Sequence, residues 1–542
     1  MPSTPASLVP RAPLTLSLAE QIAACLSERI VTGIYAPGRR IMEQAVAEEF
    51  VVSRGPVRER IDRVLDPGSF REVGKLAGRA SYGRDGKLAA FEPAPYVMGL
   101  GRIDGRPVAI GGEDYTIRAG TGFGSDRRKG GQGGFIEDLA WDYRIPLINL
   151  VDGTGGTVNT AKRKGYTVVP GYGQDGFERS VDLMGIVPVV SAVMGTTAGG
   201  PSARALLCHW SIMVRGQSQI FAAGPPVVER AFGTKVTKEE LGGAKISADT
   251  AGTIDNVAES EEDCFRQIRR FLSYLPQNVW ELPPQLACDD PVDRCEGALA
   301  SIVPRSNRQA YNMRRLIDLV VDRDSLFEIQ GTFGRAVITG LARMGGRVVG
   351  IIANNPMFGG IMDYKAARKQ AHFVELADMF NVPLIFFADI PGFMIGPESE
   401  ANAVLREGVR ARYVGLQVGV PVFTVIVRKC YGMAGGGVID RRGLNFKIAW
   451  PSAEWGSLPL EGGVKAAYRR EIESAPDPAR REREIEEELR QLASPFRTAE
   501  AFAVEDLIDP RETRPYLCQF IEALQPRLKS QPGPRLKAGV RP

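Results

Sequence analysis

Four stretches of this sequence end an apolar run in bare backbone. Residues 146–156 read PLINLVDGTGG, 187–200 VPVVSAVMGTTAGG, 383–393 PLIFFADIPGF and 421–438 PVFTVIVRKCYGMAGGGV. A strand that breaks into glycines and opens a helix presents N–H groups without partners at the positive end of the helix dipole. Glycine lets a ligand oxygen approach the main chain, so such a junction binds phosphate or stabilises a developing oxyanion. The first stretch offers Gly155 and Gly156, and the last offers the N–H groups around Met433 and Ala434. A single junction of this kind is as well explained by a tight turn. Four at matched places point to chemistry. The string GYGQDG (171–176) fits GxGxxG but lacks the strand–helix setting and the distant acidic residue of a dinucleotide site.

What is scarce narrows the chemistry. The chain has two histidines, His209 and His372. His209 lies in the apolar run LLCHWSIMV and reads as a core residue, so neither a Ser-His-Asp triad nor a histidine base is expected. Seven cysteines are scattered with no CxxC pair, which points to a reducing, cytoplasmic setting and to no metal on this chain. With 44% hydrophobic residues, 24% charged residues and a net charge of +4 over 542 residues, the composition is globular and carries no nucleic-acid footprint. No apolar run reaches membrane-span length, and no secretory signal is seen.

The junctions need elements to hold them. Residues 1–15 are rich in Pro and Ser and read as disordered, and 16–66 read as a helix-turn-helix-like all-α segment. From 67 the pattern is α/β: short apolar strands, glycine turns and amphipathic segments. The Pro- and Asp-rich stretch 275–307 reads as an interdomain linker, dividing domains at 67–300 and 301–527, and 528–542 as a basic, extended tail. EDLAWDYRIPLINLVDG and VELADMFNVPLIFFADI align without gaps, with Pro146/Pro383 and Asp152/Asp389 each 237 residues apart (383 − 146, 389 − 152). This is the mark of a tandem duplication of a whole domain.

RERIDRVLDPGSF, GGQGGFIEDLA, AAGPPVVERAFGTKVTKEELGGA, LSYLP, FNVPLIFFADIPGFMIG, VIVRKCYGMAGGG and AWPSAEW follow one another along the chain. Together they resemble the carboxyltransferase (β) subunits of biotin-dependent acyl-CoA carboxylases, of the propionyl-CoA and methylcrotonyl-CoA types. The resemblance implies two tandem crotonase-like domains, a homo-hexamer, and active sites between the N-half of one protomer and the C-half of another. It implies that Gly155 and Gly156 hold the thioester enolate oxygen, and that the amides of Met433 and Ala434 hold the biotin ureido oxygen. Ala119, Gly120, Gly199, Gly200, Gly392, Gly435 and Gly436 would line the substrates. The implied cofactor is carboxybiotin, carried by a biotin carboxylase/biotin carrier (α) subunit, with coenzyme A as part of the substrate. Its ureido nitrogen acts as the base, consistent with the scarcity of histidine.

The chain departs from the family pattern at Met433, where a glycine is usual, at Gly435–Gly436, often Tyr-Asp, and in EWGSLPLEGGV (454–464). DGTGGT is also one residue longer than the usual form. These differences leave the acyl group open. SDRRKGG (125–131) reads equally as a partner for CoA phosphates or as a solvated loop. The helix ARREREIEEELRQL reads as a solvated face.

Ahead of this body, LAEQIAACLSERIVTGIYAPGRRIMEQAVAEEFVVSRGPVRER resembles the helix-turn-helix half of GntR-type regulators. Used on DNA, it would turn Arg54, Arg58 and Arg60 toward phosphates or base edges. With no wing and modest charge, the preferred reading is a three-helix cap that packs on protein. The alternatives are thus an acyl-CoA-sensing regulator and a carboxyltransferase of a decarboxylase complex.

Overall fold

The computed structural model describes residues 56–120, 128–155, 165–167, 176–439, 444 and 446–535. Gly156, Arg54, the helix-turn-helix-like segment up to residue 55 and residues 171–175 of GYGQDG lie outside the described residues.

Two sheets carry the chain. The first comprises β1 (Arg71–Glu72), β2 (Tyr96–Ile103), β3 (Arg106–Glu113), β4 (Leu147–Val151), β5 (Val189–Val193), β6 (Trp210–Val214) and β7 (Asn256–Ala258), in that spatial order. The second runs through β8 (Phe327–Ile329), β9 (Val337–Met344), β10 (Arg347–Asn354), β11 (Leu384–Ile390), β12 (Val422–Tyr431), β13 (Phe446–Ala449) and β14 (Asp506–Leu507), again in order, with a further short strand paired to β12 off this path. In each sheet the first two pairings are antiparallel and the following four parallel. The duplication therefore extends to topology, pair for pair. Central parallel strands are covered on both faces, which explains their unbroken apolar runs. Every residue of β4, β5 and β11 is buried.

Helices cover the sheets. α1 (Pro56–Val64) buries Val57, Ile61 and Val64, one stripe at helical spacing, in the same core as β2 and β3. α2 (Gly200–Leu206) follows the second junction, and α3 (Glu261–Ser273) is capped by Ser260. In the second half, α4 (Tyr364–Met379) is capped by Asp363, and α5 (Val404–Gln417) precedes α6 (Gly432–Ile439), which opens directly off β12.

The halves share a core: Trp210 stacks on Phe271 at 4.8 Å, and Phe327 of the second sheet meets Trp210 edge-on at 5.7 Å. The segment expected as a linker is strapped down, since Arg343 donates to Pro284 O (2.8 Å) and Arg514 to Pro291 O (2.8 Å). The tail expected as an extended arm is docked as far as residue 535. Gly533 N–H donates to Val279 O (2.7 Å) and Arg535 to Asn381 Oδ1 (2.6 Å). The helix Pro478–Leu492 is indeed a solvated face with Ile485 buried and an Arg480–Glu484 pair at 2.9 Å.

Lys369 on α4 is 1% exposed, and its Nζ donates to the carbonyls of Gln330 (2.7 Å), Phe333 (3.1 Å) and Val337 (2.8 Å). Burial pulls its amine down to about 7. Lys369→Met would strip the donor from three buried carbonyls. The expected cost is about 3 kcal/mol, read as a lower urea midpoint.

Candidate active site

In the first half three loops converge beyond the ends of β3, β4 and β5. The Asp152 N–H donates to Glu113 Oε2 (3.2 Å), the Thr154 N–H to Ala119 O (3.1 Å) and the Ala198 N–H to Gly153 O (3.0 Å). The loop at Arg118–Gly120 is strained: Arg118 and Ala119 are both left-handed, with φ of 53° and 51°. Gly120 has φ +71°, and a Cβ there would lie 2.6 Å from Asp152 O. Gly155 has φ +77°, and a Cβ would lie 2.8 Å from Ala198 O. Gly199 caps α2, whose first residue is Gly200. The structure thus brings Ala119, Gly120, Gly155, Gly199 and Gly200 together.

Beneath them lies a buried ion pair. Arg204, on α2 and 2% exposed, pairs with Glu113 and donates to Tyr96 Oη (3.3 Å). Burial pushes the Glu113 carboxyl above its usual range, against the pull of Arg204. Glu113 therefore ties α2 and the Asp152 turn to one carboxylate.

The second half repeats the device with different side chains. Asp389 N–H donates to Asn354 Oδ1 (3.1 Å), and Gly360 has φ +63° with a would-be Cβ 2.6 Å from Asp389 O. Met362 N–H donates to Gly392 O (3.0 Å). α6 opens at Gly432, so the amides of Met433 and Ala434 fall in its first turn, where no intrahelical acceptor exists. Met433 projects outward at 58% exposure, whereas Ala434 is buried. Gly435 is buried against Cys430 and serves close packing of helix on strand, while Gly436 is half-buried. A short strand, Glu454–Gly456, pairs with Lys429–Tyr431 and places the divergent segment 454–464 beside this turn.

Glu113, Asn354 and Gly360 were not signalled by the gapless repeat. Glu113 and Asn354 close β3 and β10 at a spacing of 241 (354 − 113), whereas the aspartates are 237 apart. Only an alignment with a four-residue gap would have paired them.

Both histidines are committed elsewhere. His209 Nδ1 accepts from Val189 N–H (3.0 Å) and its Nε2 lies 2.9 Å from Met184 O, while His372 lies 3.5 Å from Asp255 Oδ1. Lys129, in the stretch read equally as a phosphate partner or a solvated loop, is buried and donates to Val73 O at 2.7 Å, so it supports the fold. Of the arginines weighed for a DNA-facing role, Arg58 and Arg60 lie among the described residues. Docking of α1 by its apolar stripe turns its cations onto acidic side chains: Arg58 pairs with Glu72, Arg60 with Asp152 and Glu261, and Arg63 with Glu261 and Glu262. Among the described residues no group of three or more His, Cys, Asp or Glu could hold a metal, and no helix is long and apolar enough to cross a membrane.

Comparison with known proteins agrees with this geometry. The profile of the carboxyl transferase domain matches residues 53–537, and that of the gntR family of bacterial regulatory proteins matches 18–65. The carboxyltransferase subunit of propionyl-CoA carboxylase from Haloferax mediterranei is 34% identical over 496 residues, covering 90% of this chain and 94% of that one. The α subunit of methylmalonyl-CoA decarboxylase from Propionigenium modestum is 31% identical, covering 88% and 91%. The crystal structure of transcarboxylase 12S, described as a hexamer assembly with methylmalonyl-coenzyme A bound, superposes with a TM-score of 0.81 at 30% identity, covering 98% of this chain and 99% of that one. With its two crotonase-like halves, the chain belongs to the carboxyl transferase family, among the carboxyltransferase subunits of acyl-CoA carboxylases.

Proposed function

We propose that the first junction binds an acyl-CoA thioester and the second receives carboxybiotin from a partner's carrier, in a homo-hexamer completed by a biotin carboxylase/carrier subunit. The observation that carries this reading is the repetition of one strand-to-glycine device in two sheets that share the same seven-strand order. Two carbonyl oxygens gain negative charge in a single carboxyl transfer, and each needs its own preorganised donors. Held by the amides of Met433 and Ala434, carboxybiotin would supply CO2 by cleavage of its nitrogen–carboxyl bond, and the ureido nitrogen so freed would take the acyl α-proton. The second junction suits a ureido ring: the amides of Met433 and Ala434 are free of intrahelical partners, and no atom lies within 4 Å of where a Cβ at Gly392 would stand.

On the acyl side, amides at Gly155 and Gly156 would hold the enolate oxygen, while Ala119, Gly120, Gly199 and Gly200 shape the cradle. The protein orients both substrates and stabilises charge; it need not supply a side-chain base.

The Propionigenium relative favours a second reading, in which the same transfer runs from carboxylated acyl-CoA toward biotin. One assay covers both: the isolated chain, free biotin and a panel of carboxylated acyl-CoAs. Decarboxylation that requires biotin is expected, and the best substrate names the acyl group. Biotin-independent release, or no release with any acyl-CoA, would count against the assignment. Partner subunits, recovered by co-purification, decide the direction.

A further inference from the structure

The helix at which the two family matches overlap reaches the first junction. Arg60 on α1 donates through Nη1 to Asp152 Oδ2 (3.0 Å), through Nη2 to Met194 O (3.3 Å), and through Nε to Glu261 Oε1 (2.9 Å). Asp152 is the first residue after β4, Met194 the first after β5, and Glu261 the first of α3. One guanidinium therefore joins the ends of the two strands whose loops carry Gly155 and Gly199. Gln217 Nε2 closes the node, donating to Met194 O (2.9 Å) and Glu261 Oε1 (2.7 Å).

The node is tight. A Cβ at Gly195 would lie 2.2 Å from Asp152 Oδ1, so the carboxylate rests directly against the second loop. The Arg60 side chain is 14% exposed and that of Asp152 12%. Burial pushes the Asp152 carboxyl upward and Arg60 pulls it back. A planar guanidinium suits this task, because it meets a carboxylate and a carbonyl from one rigid fork.

The second half holds its matched aspartate differently. Asp389 is 2.9 Å from Arg428 Nη2 and accepts from Tyr311 Oη at 2.9 Å. Arg428 lies on β12, the strand that itself runs into the glycine turn. In the first half the corresponding arginine comes from outside the sheet, 92 residues before the aspartate it holds.

We propose that Arg60 is a positioning residue for the acyl-CoA step. It sets the separation of loops 152–155 and 194–200, and touches no substrate. The inference rests on reading the first junction as the acyl side.

The test uses the full chain with Arg60→Ala, Arg60→Lys and, as control, Arg63→Ala on the exposed edge of the same helix. Arg60→Ala is expected to raise both the acyl-CoA Kd and the acyl-CoA KM about tenfold or more, as misplaced binding loops do. The KM for free biotin should stay at the parent value, and millimolar guanidinium should recover part of the loss. Arg60→Lys, which keeps the charge but loses the fork, should resemble Arg60→Ala, and Arg63→Ala should resemble the parent. A parent-like acyl-CoA Kd in Arg60→Ala, or equal rises in both KM values, overturns the proposal. Should Arg60→Ala fail to fold, the acyl-CoA Kd of Arg60→Lys decides in the same way. A parent chain that binds acyl-CoA without any exchange defeats the functional reading alone, and the Kd comparison still decides Arg60. A parent that binds no acyl-CoA defeats both.

Discussion

Ala434→Pro is expected to lower carboxyl transfer at least about a hundredfold, the effect of removing one oxyanion donor. Ala434 is the third residue of α6, so its N–H serves no intrahelical bond, and proline is tolerated in a first turn. The substitution therefore removes a donor with little cost to the helix. Ala434 is 2% exposed, so the added ring must also be accommodated, and the melting temperature is the control for that. Ala434→Gly, which keeps the N–H, separates the two effects and should retain most activity. Acyl-CoA binding by Ala434→Pro should match the parent. Turnover near the parent level in a folded Ala434→Pro would show that biotin's oxygen is held elsewhere.

Gly155→Ala should have a comparable effect on the other substrate. The residue sits at φ +77°, where an L side chain costs about 1–2 kcal/mol. Its Cβ would also lie 2.8 Å from Ala198 O, so the Gly155 loop or the Ala198–Gly200 loop must move. Both are backbone, and neither can yield as a side-chain tip would. Displacement by about an ångström costs on the order of a hundredfold, expected here in kcat/KM for acyl-CoA. The KM for biotin should not change. Two-substrate steady-state kinetics read this directly, and a loss shared equally by both substrates would sink the assignment of Gly155 to the acyl side.

The two predictions have opposite signatures because the two junctions stand on separate sheets. Ala434→Pro spares acyl-CoA binding and removes transfer; Gly155→Ala spares biotin and weakens the acyl step. A single shared pocket would not separate them.

Much of this was legible in the residues. Parallel strands buried on both faces must be apolar throughout, so PLINLV and PLIFFA stand out and align across the duplication. A chain that brings its backbone to a ligand ends such strands in glycine, which marked Gly155 and Gly156, while Gly120, Gly199 and Gly200 came from the family resemblance. The near absence of histidine pointed away from side-chain bases, and the structure places both histidines in other contacts.

Tertiary structure decided the rest. The same loop offers Lys129 as a phosphate partner in sequence and as a buried strut in the fold. The sequence weighed the arginines of α1 as a DNA face against a packed cap, and which partners they meet is seen only with the stripe of Val57, Ile61 and Val64 docked on the first sheet. Hydrophobic period and glycine placement are local properties, written within a few residues, so sequence alone determined the strands, the junctions and their duplication. Ion pairs such as Arg60 with Asp152 and Glu113 with Arg204 join residues some ninety positions apart, with no periodicity to announce them. Which side chain meets which is set when the sheets and helices pack, because charge is neutralised by whatever partner the fold brings near.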